Sequence, residues 1–123
     1  MKQNILLSAA GLLLVIFAFM PQTKTLVGHW TIHYPNGQQA SIEFREDGSF
    51  ETVIPAEQFT VGGQYKLNED ILSISDSSCG SNYWGTYKET FINGDSVYSV
   101  VIEDSCTGRR SAADKVTLVR VKM

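Results

Sequence analysis

From residue 26 onward, apolar and polar residues alternate in short runs, and turn-forming residues separate the runs. The first run, 26–34, puts Trp30, Ile32 and Tyr34 on one face and His29, Thr31 and His33 on the other. A period of two marks a half-buried strand. Pro35-Asn36-Gly37 turns the chain into a second strand, where Ala40, Ile42 and Phe44 oppose Ser41, Glu43 and Arg45. Glu46-Asp47-Gly48 is a tight turn into a third strand, 49–54, with Phe50, Thr52 and Ile54 on the inner face. Residues 55–62 read as a longer connection that carries Phe59 and Val61.

The same alternation continues. Strand four, 63–67, turns Tyr65 and Leu67 inward, and Asn68-Glu69-Asp70 leads to strand five, 71–76, with Leu72 and Ile74 inward. A polar loop, 77–82, follows. Strand six, 83–92, has two faces of similar weight. The bulk of Tyr87 and Phe91 favours that face inside, and the choice turns Glu89 inward too. Asn93-Gly94-Asp95 is the strongest hairpin signal in the chain. Strand seven, 96–104, is expected to bury Tyr98, Val100 and Ile102. Residues 105–115 form a long loop before the last strand, 116–122, and no helical period is visible in this part of the chain.

About eight short strands joined by short links predict an all-β fold, a small up-and-down antiparallel barrel. Pairing the first strand with the last removes both exposed edges. In such a meander alternate links share an end. The links at 46–48, 68–70 and 93–95 are all tight, whereas 35–37, 55–62, 77–82 and 105–115 hold all the longer loops. One end is thus tied short and the other is elaborated. Cys79 and Cys106 fall on the fifth and seventh links, at the elaborated end, and a disulfide between them is expected. Its stabilisation would be roughly 3 kcal/mol. Trp30 and Arg120 meet at the tight end in this topology, with a structural role. A guanidinium over an indole is worth roughly 0.5–2 kcal/mol.

The N-terminus changes the picture of where the barrel resides. Lys2 precedes an apolar run, 5–20, that ends at Pro21. This is the layout of a secretory signal peptide. The run lies between the length of a signal core and that of a membrane span, so an uncleaved anchor stays open. The domain reading is therefore 1–25 as signal peptide or N-terminal anchor with a short linker, and 26–123 as the barrel domain. Export implies a periplasmic, envelope-associated or secreted protein, with membrane contact only through the N-terminal segment. It also suits a disulfide. Thirteen acidic residues against ten basic ones give a net charge of −3. No clustered Lys/Arg footprint for nucleic acid is present in the sequence.

Gly28-His29-Trp30 at the start of the first strand resembles the Gly-x-Trp signature of lipocalin-like barrels, and Arg120 fits that family's basic partner for the tryptophan. The chain is similar to the compact bacterial lipocalin-like domains that follow a signal peptide. The Thr-Asp-Tyr signature of classical members is absent between strands six and seven, where Asn93-Gly94-Asp95 stands. The small bacterial metalloprotease inhibitors, exported barrels with Gly-x-Trp and one disulfide, are a second resemblance.

Candidate chemistry is sparse. His29 and His33 lie on one face of a strand, about 13 Å apart at 3.3 Å per residue, too far to share a metal. No nucleophile elbow and no phosphate loop followed by a helix occurs in the sequence. The expectation is a non-enzymatic protein with no cofactor and no metal. Its expected function is to bind a small apolar molecule at the loop-rich end. Tyr34, Ile54, Phe59, Tyr65 and Tyr83 would line that site, and Arg109 or Arg110 would meet an acidic group. One of the two arginines is alternatively a brace for Asp104. A solid barrel that binds a protein partner, as an interaction or protease-inhibitor module in the cell envelope, is the competing expectation.

Overall fold

The computed structural model describes residues 24–122. The expected signal or anchor segment lies outside the described residues, apart from the last two positions of its linker. Eight antiparallel strands close into a barrel in sequence order: β1 Gly28–His33, β2 Gln39–Phe44, β3 Ser49–Ile54, β4 Phe59–Asn68, β5 Ile71–Asp76, β6 Gly85–Asn93, β7 Ser96–Glu103 and β8 Val116–Arg120. This architecture is consistent with a lipocalin-type fold. The barrel closes by pairing β1 with β8, in the register Trp30↔Arg120 and Ile32↔Leu118.

The alternation read from the sequence is the inner face of the barrel for most strands. Trp30, Ile32, Ala40, Ile42, Phe44, Phe50, Leu72, Ile74 and Tyr87 are all buried. Trp30 closes the tight end. Its indole N–H donates to the Leu26 carbonyl at 2.8 Å, and the Arg120 guanidinium lies 4.2 Å from its ring centre. Gly28 has φ +133°, and a side chain there would run into Nη1 of Arg120. The glycine of the Gly-x-Trp signature is thus favoured by its backbone conformation, and any side chain there would also displace the tip of Arg120.

Four expectations are corrected. The third link is 55–58 rather than 55–62, a short 3-10 turn, Pro55–Glu57, and Gln58. Phe59 and Val61 belong to β4, which is ten residues long. Tyr65 consequently lies far along β4, by the tight end, where its hydroxyl donates to the Arg45 carbonyl at 2.7 Å. Next, the loop 105–115 contains a helix, α1, Thr107–Ala113. It is too short to show a hydrophobic period, although Arg and Ala at four of its seven positions favour it. Third, β6 begins at Gly85, so Tyr83 and Trp84 remain in the preceding loop.

The fourth correction concerns β7. Its buried positions are Val97 and Ser99, with Val101 packed against the core, whereas Tyr98 and Ile102 are exposed. A regular hairpin after Asn93↔Ser96 would set Phe91 opposite Tyr98. Instead Phe91 pairs with Val97, and Ile92 is an unpaired bulge residue. One extra residue exchanges the two faces of the partner strand. A second irregularity follows: Tyr87 pairs with Val101 but Thr86 with Glu103, which leaves out Ile102. That shift sends Asp104 into the protein beside Gly85.

Candidate functional site

The tight end has no room for a ligand, because Trp30 and Phe44 are fully buried there. The elaborated end is different. Three longer links converge: the 3-10 turn after β3, a second 3-10 turn, Ser77–Cys79, and α1. The disulfide Cys79–Cys106 joins the last two links, with Cα atoms 5.7 Å apart. The Tyr34 hydroxyl donates to the Ala112 carbonyl at 3.0 Å and ties α1 to the rim above β1. The Asp114 carboxylate, at the C-cap of the same helix, accepts from the Val101 N–H at 2.9 Å and ties that end to β7 as well. The helix is therefore pinned over the barrel mouth and covers part of it.

What remains open is a cleft of about 730 Å³. Tyr34, Asn36, Gln38, Glu57, Phe59 and Ser111 stand around it at the loop level, and Ile32, Ile42, Phe50, Thr52 and Ile74 line it within the barrel. Of the expected lining residues, Tyr34, Ile54, Phe59 and Arg109 take part. Tyr65, Tyr83 and Arg110 do not. Tyr65 is at the opposite end for the reason given above. Tyr83 stands behind the site, where its hydroxyl accepts from the Ser105 N–H at 2.7 Å. Arg110 is exposed and faces a shallow depression with Asp104, Ser105, Thr107 and Asp114.

Arg109 braces the loop. Its Nε and Nη2 donate to the two oxygens of Asp104 at 2.7 and 3.0 Å, and its guanidinium carbon is 5.5 Å from the Tyr83 ring centre. Both side chains of this forked pair are buried. Asp104 also accepts from the Tyr87 hydroxyl and from the Cys106 N–H. Burial works to raise the Asp104 pKa, but the bonds from Arg109, Tyr87 and Cys106 outweigh it and hold the carboxyl below its usual range. Burial, then the hydrogen bond donated to Asp104, and then that carboxylate's charge push the Tyr87 hydroxyl well above its ordinary range.

Besides α1 itself, two features of this end were not anticipated from the sequence: Asp76 and Glu57. Asp76 ends β5 and caps the next turn by accepting the Ser78 N–H at 2.8 Å, which is the Asp-Ser-Ser signal of a capped turn. Its Oδ2 is 3.6 Å from Nη1 of Arg109. Glu57 was hidden in what reads as an irregular loop. Burial first and the charge of Glu57 second raise the Tyr34 pKa, so Glu57 acts on the cleft electrostatically.

Glu89 is buried in the barrel wall, apart from the cleft, as the chosen phase of β6 requires. Neither of its carboxylate oxygens has a hydrogen-bond partner. Burial pushes its pKa up to about 7, and Ser99, its cross-strand neighbour, acts in the opposite sense without completing a hydrogen bond. Among the described residues no cluster of three or more His, Cys, Asp or Glu is suited to a metal ion. No family model matches the chain, and no curated protein matches it.

Proposed function

We propose that this chain is an exported, non-catalytic, lipocalin-like barrel that binds a small, mostly apolar molecule at its loop-rich end. The observation that carries the reading is the cleft of about 730 Å³, floored by Ile32, Ile42, Phe50 and Ile74. Sites for small ligands are commonly about 300–1,000 Å³, apolar, with a few polar groups at the edge. The disulfide and the two hydrogen-bonded ties of α1 hold the rim in place before a ligand arrives, which lowers the ordering cost of binding. Neither histidine lines the cleft, so it has no imidazole to serve as a general base.

Native mass spectrometry of protein purified from its own cells tests the reading, together with titration of an environment-sensitive apolar dye. A bound small molecule, or saturable dye binding that Val61→Trp abolishes, is the expected result. Unliganded protein with no saturable dye binding removes the reading.

A second reading, surface recognition of a protein partner, draws on the outer face of β7. The bulges leave Tyr98 and Ile102 at 38% and 54% exposure, where a soluble barrel ordinarily presents polar residues. It predicts that Ile102→Lys abolishes capture of the partner and leaves dye binding intact.

A further inference from the structure

We infer that the cleft selects apolar amines over apolar carboxylates of the same length. The inference rests on the ligand-binding reading above and gives it a ligand class. Three charged residues line the cleft: Glu57, Asp76 and Arg109. The single cation is the one that an acidic ligand would need, and it is turned away. Nε and Nη2 of Arg109 are committed to Asp104. Nη1 is sealed from solvent with no hydrogen-bond partner, and the side chain is only 5% exposed. An incoming carboxylate therefore meets no N–H of the fork. It meets only the field of the lining charges, in which Asp76 and Glu57 outnumber one guanidinium.

Asp76 adds an independent observation. Its side chain is 3% exposed; Oδ1 accepts the Ser78 N–H, while Oδ2 accepts no hydrogen bond among the described residues and stands 3.6 Å from Arg109. A buried carboxylate oxygen with unused acceptor capacity favours a donor brought by the ligand. An ammonium group supplies three donors and a positive charge. With the apolar body of the ligand on Ile32, Ile42, Phe50 and Ile74, its head stays at the level of Tyr34, Glu57 and Asp76. An attraction of this kind, partly shielded by water at the rim, corresponds to roughly tenfold in affinity.

Decylamine, decanol and decanoate, titrated against the full chain by calorimetry at pH 7, share one tail and differ only in the head. The expected order is amine tightest, alcohol about tenfold weaker, carboxylate weaker still. Glu57→Gln, a change at an exposed rim position, should narrow the amine-to-alcohol gap severalfold. Asp76→Asn should narrow it too, if that variant folds; Glu57→Gln keeps the test intact if it does not. Decanoate binding as tightly as decylamine overturns the inference and leaves the ligand-binding reading standing. An amine preference that survives Glu57→Gln undiminished also overturns it, because the net acidity of the chain would then suffice as the cause. Binding of none of the three overturns both readings.

Discussion

The carboxylate of Asp104 occupies the space that a side chain on Gly85 would need. The pair sits where β6 and β7 leave the barrel, immediately after the bulge at Ile102. That bulge brings Asp104 under the Tyr87 hydroxyl and against Arg109. Gly85→Ala would place a methyl group against a buried, fully engaged carboxylate. The expected loss is about 3 kcal/mol, the scale of breaking a buried ion pair, read from urea unfolding. Gly94→Ala, where a side chain would meet nothing within 4 Å, is the control and should change little.

Replacing Arg109 alone, as in Arg109→Met, leaves Asp104 buried without its cation and should cost about 3–5 kcal/mol. The double variant Arg109→Met, Asp104→Asn should recover part of that loss. The pH dependence has a definite sign. The Asp104 pKa is lower in the folded than in the unfolded chain, so its contribution is present above the ordinary carboxyl range and is lost as pH falls through the folded value. Acid unfolding should therefore move to higher pH in Arg109→Met, as followed by circular dichroism.

Glu89 acts in the opposite sense. Its folded pKa, about 7, lies above the ordinary 4.5, so folding favours the protonated form. Stability is fully present below about pH 4.5 and falls as pH rises towards 7 and beyond. At 1.36 kcal/mol per pH unit the penalty reaches about 3 kcal/mol above pH 7. Glu89→Gln should remove the slope between pH 5 and 8. Equal urea-unfolding slopes with pH in the two proteins would contradict the assignment.

The disulfide spans 27 residues between two links at the same end. Cys79→Ser with Cys106→Ser should cost roughly 3 kcal/mol through the greater freedom of the unfolded chain. It should also loosen α1 selectively, because Cys106 immediately precedes that helix. Hydrogen exchange is expected to quicken at the Arg110 and Asp114 amides, which close the helix, before it quickens in β2 or β3.

At the tight end, Arg120 lies on Trp30 and donates to the carbonyls of Val27 at 2.8 Å, Thr25 at 3.2 Å and Gly94 at 3.3 Å. Arg120→Ala should cost about 2–3 kcal/mol, combining the indole contact with the lost bonds. Arg120→Lys should restore less than half, because an ammonium cannot reach all three carbonyls while covering the ring. Thermal melts of the two variants make the comparison.

The sequence by itself determined the barrel, its closure and its ends. Alternation specifies which residues face inward when one face is much the more apolar, as with Trp30, Ile32, Ala40, Ile42 and Phe44. Turn residues specify where the chain reverses, and the parity of a meander then brings Cys79 to Cys106 and Trp30 to Arg120. Tertiary structure decided the rest. Strand β7 is apolar on both faces, so only its pairing, with Ile92 and Ile102 left over as bulges, could choose Val97 and Ser99 for the inside. The seven-residue α1 is held by Tyr34 and Asp114 from outside itself, and no periodicity within it could announce that. The electrostatic character of the cleft was equally hidden. Two adjacent arginines look alike in sequence, and only the fold buries Arg109 between Asp104 and Asp76 while leaving Arg110 in solvent.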